Sequence, residues 1–281
     1  MHNILIKRGK KTDMNAKTIG IISIKGGVGK TSSTVALGAA AAQLGKKVLV
    51  IDGNFSSPHL AMHIGFYEPE HTLHDVLSGK INIKEAIYES GYGFDILPGA
   101  TIHEKISPFK LIDKMREIRR RYDLILIDSS PNLNEEMLAT MIASDELLVV
   151  TTPDYVTLGS TLSAIRIAKE RKTPIAGIIL NKVYGKNFEV DLNEIQDTAG
   201  VNILAVLPHD AGIPESLAKN IPSTAYKNSE AATEYKKLAA ALVGEDYKEG
   251  GFKNFMRKLM GKVPAQDINR VMFKQERLNR F

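Results

Sequence analysis

A chain of 281 residues, 43% hydrophobic and 25% charged, is long enough to bury a full core, as one large α/β domain or as two small ones, and is expected to be soluble and globular. It contains no cysteine, which excludes disulfides, thiolate zinc sites and cysteine-ligated iron–sulfur clusters; no apolar run reaches the roughly 20 residues of a spanning helix, and the stretch after Met1 is too short for a signal peptide, so a cytoplasmic location is expected. The net charge of +5 is unevenly placed: residues 1–17 carry five basic groups and one acid, residues 245–281 nine and five, and the body between them is mildly acidic, so an anionic surface, lipid or nucleic acid, is an expected partner of the ends.

Residues 1–17 show little periodicity and are expected to form a flexible basic leader. Thr18 to Ile24 predicts the first strand, and Thr31 to Leu44 an alanine-rich helix stopped by Gly45. Gly38 inside that helix points to close packing on a sheet. Lys47 to Asp52 predicts a second buried strand, giving a strand–loop–helix–strand unit with a right-handed crossover. Gly53 to Gly65 reads as a loop with an apolar turn at Leu60 to Met62. Short helical patterns follow at Leu73 to Leu77 and Ile83 to Tyr88, then a strand at Phe94 to Leu97. An amphipathic helix with a basic outer face is predicted over Leu111 to Arg121, and a buried strand over Tyr122 to Asp128. Beyond it, helices are predicted at Asn134 to Ala143, Leu158 to Lys169, Leu192 to Ala199, Pro214 to Lys219 and Glu230 to Leu242. Strands alternate with them at Glu146 to Thr151, Pro174 to Leu180 and Asn202 to Leu207. This alternation, without a glycine- or proline-rich break, predicts one doubly wound α/β domain with a mainly parallel sheet over residues 18–244.

The stretch on which the rest depends is Lys25-Gly26-Gly27-Val28-Gly29-Lys30-Thr31-Ser32. Glycines between a buried strand and a helix expose backbone N–H groups where the helix N-terminus attracts anions, which is the physical recipe for cradling a polyphosphate. Charge then assigns Lys30 to the β- and γ-phosphates, the Thr31 hydroxyl to Mg²⁺, and the N–H groups of Gly27 to Ser32 to phosphate oxygens. The first glycine of the usual G-x-x-x-x-G-K-[ST] pattern is replaced by Ile24, and Lys25 precedes the glycines. In this the stretch resembles the deviant Walker A loop of the MinD/ParA family of ATPases, and the resemblance extends through Ala143-Ser144-Asp145 and Thr151-Thr152-Pro153-Asp154.

The resemblance implies a P-loop fold, ATP and Mg²⁺, and an ATP-dependent homodimer in which Lys25 reaches the partner's phosphates. It implies that Asp128, before Ser129-Ser130-Pro131, is the Walker B acid that holds Mg²⁺ through water. Asp52 matches the first acid of switch I. The family's second acid, which positions the attacking water, is here Asn54, which hydrogen-bonds a water but cannot take its proton. Slow hydrolysis is therefore expected more readily than none. Asn181 and Pro208-His209-Asp210 resemble the adenine-binding elements. The absence of cysteine leaves MinD-like positioning ATPases, ParA-like DNA-partition ATPases and flagellar-number regulators within the family.

The tail separates these branches. Phe252, Phe255, Met256, Leu259 and Met260 fall at i, i+3, i+4, i+7 and i+8, opposite Lys253, Asn254, Arg257 and Lys258, the pattern of a helix lying in a membrane interface. The stretch looks like the MinD membrane-targeting sequence; docking on its own core or on a partner protein is the other use of such a face. Two copies on an ATP-held dimer would bind anionic lipid by avidity, so nucleotide state would control residence at the inner membrane face. Residues 264–281 are open among three roles: extending the anchor, binding a partner, or folding back. The expected protein is a MinD-like dimerising ATPase that positions a cell-division or polar assembly with an unidentified protein partner. The alternatives are ParA-like DNA binding and nucleotide sensing with negligible turnover.

Overall fold

The central strands are near-continuous apolar runs buried on both faces, and that pattern commits the sheet to helices on each face. The computed structural model describes residues 16–100, 106–247 and 263–278. Among them, strands β1 (Lys17–Ile22), β2 (Val48–Gly53), β3 (Tyr88–Glu89), β4 (Asp95–Leu97), β5 (Leu124–Ser129), β6 (Glu146–Thr151), β7 (Ile175–Val183) and β8 (Ile203–Pro208) form one sheet in the order β3-β4-β2-β5-β1-β6-β7-β8. All neighbours are parallel except β3, which runs antiparallel to β4 at one edge. Ile19, Ile21, Val50, Leu124, Leu126 and Leu148 point to one face, covered by α1 (Lys30–Gln43) and α9 (Glu230–Leu242). The opposite face carries α2 (Leu73–Ser78) and α3 (Lys110–Arg116) over Ile51 and Ile125. Beside them, α4 (Glu135–Ala143), α5 (Tyr155–Glu170) and α6 (Leu192–Ala199) cover Ile22, Val149 and Ile178. The expected doubly wound α/β architecture is thus the observed one. Gly38 has the reason expected of it: a Cβ there would stand 2.7 Å from Val50 Cγ2 and against the Phe94 ring.

The β1–α1–β2 crossover skips one position, so β1 lies between β5 and β6 and β5 separates it from β2. Several local expectations change, at element ends. The helix expected over Leu111 to Arg121 stops at Arg116; Arg119–Arg121 is a 3₁₀ turn that brings Tyr122 into line with β5. The helical pattern from Ile83 to Tyr88 is a 3₁₀ turn over Ile83–Ala86 capped by Asn82, and Tyr88 pairs as a strand with Ile96. α5 begins three residues before Leu158 because Asp154 caps it, accepting from Thr157 N. β7 runs through Asn181 to Val183. The short helices α7 (Gly212–Ala218) and α8 (Ser223–Tyr226) close this end of the chain before α9.

Of the three open roles for the chain end, folding back is the one observed for residues 263–278. Helix α10 (Ala265–Leu278) packs on β8 and α9. Asn269 donates to the Ile203 carbonyl (2.8 Å) and to Gln196 Oε1 (2.9 Å). Arg270, 5% exposed, donates to the Leu204 carbonyl (2.7 Å) and pairs with Glu234 (2.8 Å) and Asp267. Arg277 reaches Glu146 (2.5 Å), which Lys17 holds from the other side (2.8 Å), so the chain end is tied to the first strand. α10 thereby covers an edge strand that would otherwise present unpaired backbone groups. The leader at residues 1–15 and the amphipathic stretch from Phe252 to Met260 lie outside the described residues.

Candidate functional site

The glycine loop leaves β1 and enters α1 through Gly29, whose φ of 93° is left-handed and accessible to glycine at little cost. No side chain caps α1. The first-turn N–H groups of a helix have no intrahelical acceptor, so this N-terminus is built to receive an anion from outside. A cleft of about 470 Å³ opens there, lined by the loop from Lys25 to Ser32 and by Asn181, Lys182, Pro208 and Asp210. Every residue expected from sequence to contact the phosphates or the base lines it.

Lys30 is 7% exposed and turned inward, 3.2 Å from Asp128 Oδ1 and donating also to the Ser129 carbonyl. The Thr31 hydroxyl donates to Asp128 Oδ2 (2.6 Å), and Thr34 lies within 3.4 Å of Asp128 Oδ1. Strand β5 therefore delivers Asp128 to the first turn of α1, as a Walker B acid requires. Asp52, next to the end of β2, pairs in register with Asp128 on the neighbouring β5 and accepts from the N–H groups of Asn54 and Leu60. Burial, then the charge of Asp128, pushes the Asp52 carboxyl up to about 7, against the pull of those N–H groups and Lys30.

Two buried carboxylates beside a hydroxyl form a donor set that fits a hard divalent cation. No group of three or more His, Cys, Asp or Glu that could hold a metal occurs among the described residues. Mg²⁺ would thus need water and phosphate oxygens to complete its shell, which suits an ion that arrives with a nucleotide.

The raised Asp52 value has a sign that can be tested. An unfolded aspartate titrates near 3.8, so between about pH 4 and about pH 7 the folded chain binds the extra proton, and stability falls as pH rises through that window. Asp52→Asn removes this slope, which amounts to on the order of 2–4 kcal/mol. Urea unfolding of both chains without Mg²⁺ or nucleotide across that range checks it; parallel pH profiles would reject the assignment.

Lys25 lies at the mouth of the cleft rather than inside it. Its Nζ donates to Thr157 Oγ1 (2.7 Å) and stands 3.5 Å from Asp154 Oδ1, with 41% of the side chain exposed. Burial works to raise the Asp154 carboxyl, but hydrogen bonds from Thr152 and Thr157, with the Lys25 charge, outweigh it and leave it at about 2. Thr152, Asp154 and Thr157 are site residues that sequence reasoning quoted or passed over without a role; the signal was an aspartate three residues ahead of a threonine at a helix start. Tyr184 and Phe188 are exposed in an adjoining groove that Lys25 and Asp154 also line, and Tyr155 and Val156 are exposed in the first turn of α5, directly after Asp154.

Asn54 donates its amide to the Ser57 carbonyl, while its Oδ1 is buried without a protein partner. That oxygen can accept from a water but has no proton to exchange. Asn181 is 4% exposed and committed to the loop: Nδ2 donates to the Val28 carbonyl (2.7 Å) and Oδ1 accepts from Lys182 N (2.9 Å). Its amide also stands where a Cβ on Gly29 would be. Asp210 Oδ1 accepts from Gly212 N (2.7 Å), and its Oδ2 is buried without a partner at the cleft, ready for a donor such as an exocyclic amine. His209 stacks on Tyr184 at 4.4 Å between ring centres. Sequence reasoning missed Lys182, which adopts a left-handed φ of 58° and donates to the Gly27 carbonyl (2.8 Å). It also missed His63, which lines the cleft and is held below the usual histidine range by burial.

Residues 16–175 match the family model described as an AAA domain. An uncharacterized ATP-binding protein of Methanocaldococcus jannaschii is 32% identical over 88% of this chain and 98% of its own length. The septum site-determining protein MinD of Thermotoga maritima is 28% identical over 80% of this chain and 87% of its own. Among solved structures, MinD from Pyrococcus horikoshii, complexed with Mg-ADP, superposes with a TM-score of 0.77 at 34% identity, covering 81% of this chain and 96% of that one.

Proposed function

The chain belongs to the MinD/ParA family of P-loop ATPases, and on that footing we propose that it is a MinD-like, Mg²⁺-ATP-dependent dimerising ATPase whose nucleotide state controls binding to anionic membrane at the inner face of the cell. The observation that carries the dimer reading is Lys25, poised at the cleft mouth on Asp154 and Thr157 beside an exposed apolar surface. A lysine placed there can exchange its own chain's carboxylate for the phosphates of a partner's nucleotide, and the exposed aromatic side chains would be buried in the same step.

In this reading Lys30, the loop N–H groups and Ser32 bind phosphate, Asn181, Pro208 and Asp210 border the adenine, and Thr31 and Asp128 hold Mg²⁺. The ion would neutralise charge that develops on the transferred phosphoryl group. Asn54 orients water through Oδ1 without acting as a base, so turnover is slow. A protein partner then accelerates hydrolysis, and the cycle positions a cell-division or polar assembly.

The membrane half of the proposal rests on the amphipathic pattern from Phe252 to Met260. DNA draws less support, because Arg270, Lys274 and Arg277 of the basic chain end are paired with Glu234 and Asp267, Asp246, and Glu146 respectively. Sedimentation with phosphatidylglycerol vesicles tests the proposal: binding is expected with Mg-ATP and weak with ADP or no nucleotide, and Lys25→Ala should lose the ATP-dependent part while still binding nucleotide. Equal binding in all three states would sink it. Phosphate release in the same samples is expected to be slow and to rise in Asn54→Asp.

A further inference from the structure

Asp52 fixes more than its own position. Its Oδ2 accepts from Leu60 N (3.0 Å) at the entry to a 3₁₀ turn over Ala61–Ile64. Leu60, Ala61 and Ile64 are buried in the same core cluster as Val35 and Leu37 of α1. These apolar anchors make the segment a fixed wall of the cleft, with His63 left half-buried at its surface.

His63 borders two spaces. One is the nucleotide cleft, which it shares with Lys30; the other is a recess it shares with Ser32 in the first turn of α1 and with Ile213 and Leu217 of α7. Ser32 belongs to the phosphate loop, whereas α7 follows Pro208 and Asp210, which are placed for the base. A side chain that borders both sets stands where the phosphate chain meets the nucleoside.

The His63 ring is also uncommitted. Its backbone N–H bonds to the Leu60 carbonyl (3.1 Å), but the ring nitrogens have no hydrogen-bond partner among the described residues. His74 is the contrast: at 3% exposure its Nδ1 accepts from Ala100 N (3.1 Å), and the Phe55 backbone engages the ring as well. Buried polar groups are normally paired, so a ring left open at a cleft is available to a ligand. Burial holds His63 below the usual histidine range; Asp128 opposes that shift, while His59 and Lys30 add to it. A neutral imidazole still has one N–H to donate, and it adds no further cation beside Lys30.

We propose that His63 donates a ring N–H to the α-phosphate of the bound nucleotide. This contact rests on the ATPase reading of the cleft and adds to it a side-chain donor from outside the glycine loop. A hydrogen bond to a charged oxygen in a partly closed cleft is stronger than one between neutral groups, so its loss should be measurable in affinity.

Two substitutions separate a hydrogen bond from a merely filled wall. His63→Leu keeps the bulk and removes the donor, whereas His63→Gln keeps an N–H at similar reach. In calorimetric titrations of the full-length chain with Mg-ADP, binding is expected to be about ten-fold weaker in His63→Leu and within about three-fold of wild type in His63→Gln. Equal weakening in both variants would make the residue a packing element and overturn the proposal. Urea unfolding without nucleotide should give similar midpoints for all three chains, because Leu60, Ala61 and Ile64 hold the turn.

The two diastereomers of ADPαS locate the contact. Sulfur replaces one or the other non-bridging oxygen of the α-phosphate and accepts hydrogen bonds poorly. The ratio of their affinities is expected to differ at least several-fold between wild type and His63→Leu; an unchanged ratio would place the ring on the sugar or the β-phosphate and overturn the proposal. Equal Mg-ADP binding by wild type and His63→Leu would overturn this contact alone, whereas no Mg-ADP binding by wild type would overturn the ATPase reading with it.

Discussion

Lys30→Ala is expected to weaken ATP binding by about 100-fold and, independently, to destabilise the nucleotide-free chain by about 3–5 kcal/mol. The binding loss follows from removing a cation at the base of the phosphate cleft, where low solvent access strengthens a charge-assisted hydrogen bond. The stability loss has a different origin. Lys30 is the cation paired with Asp128 in the buried carboxylate pair, and the Asp52 carboxyl is already pushed up to about 7 by burial and then by the charge of Asp128. Without the ammonium group Asp128 keeps only hydroxyl contacts from Thr31 and Thr34 among its described partners, and one of two adjacent buried carboxyls must take up a proton. Adding Asp128→Asn to Lys30→Ala should restore most of the stability and none of the binding. Urea unfolding and titration with a fluorescent ATP analogue separate the two effects. Undiminished ATP binding in Lys30→Ala would remove the lysine from the phosphate site.

Arg270→Ala is expected to release α10 while leaving the ATPase core folded. The helix docks through polar contacts, chiefly Asn269 and Arg270, with Phe273 adding partial apolar burial. Removing one partner of a buried ion pair costs about 3–5 kcal/mol. Here the chain can avoid most of that by undocking, which returns Glu234 and Asp267 to water. A free helix of 14 residues is marginal in water, so undocking also melts it. Hydrogen exchange should show α10 amides exchanging about 100-fold faster or more, with β1 and β6 amides close to wild type. Val271→Ala, on the outward face, should leave α10 docked. Unchanged protection of α10 in Arg270→Ala would show that the buried arginine is not what holds it.

Most of the nucleotide cleft was legible because its parts are local. Lys25 to Ser32 is contiguous, Asp52 and Asp128 each end an apolar run, and a strand-end carboxylate must emerge at the same sheet edge as the loop after β1. Element ends were less legible. Ile83 to Tyr88 fits a helical period, yet pairing with Ile96 makes Tyr88 a strand residue, and such pairing is a long-range choice that no window along the chain contains. Lys182 gave no sign either: its left-handed backbone follows from the Asn181 side chain accepting its N–H group and from the Gly27 carbonyl above it, contacts between residues more than 150 positions apart in the second case.

By itself, the amino-acid sequence determined the family-bearing loop, the alternation that requires a doubly wound sheet, and the chemical types of the cleft residues, since each depends on neighbours within a few positions. Only the tertiary structure decided which way Lys25 and Lys30 turn, that Asp52 and Asp128 share one buried site, and that residues 265–278 lie on β8. Those outcomes depend on burial and on ion pairing between distant segments. Arg270 has the composition of a solvated tail residue, and it becomes a buried anchor only because Glu234, Asp267 and the Leu204 carbonyl are brought to one place.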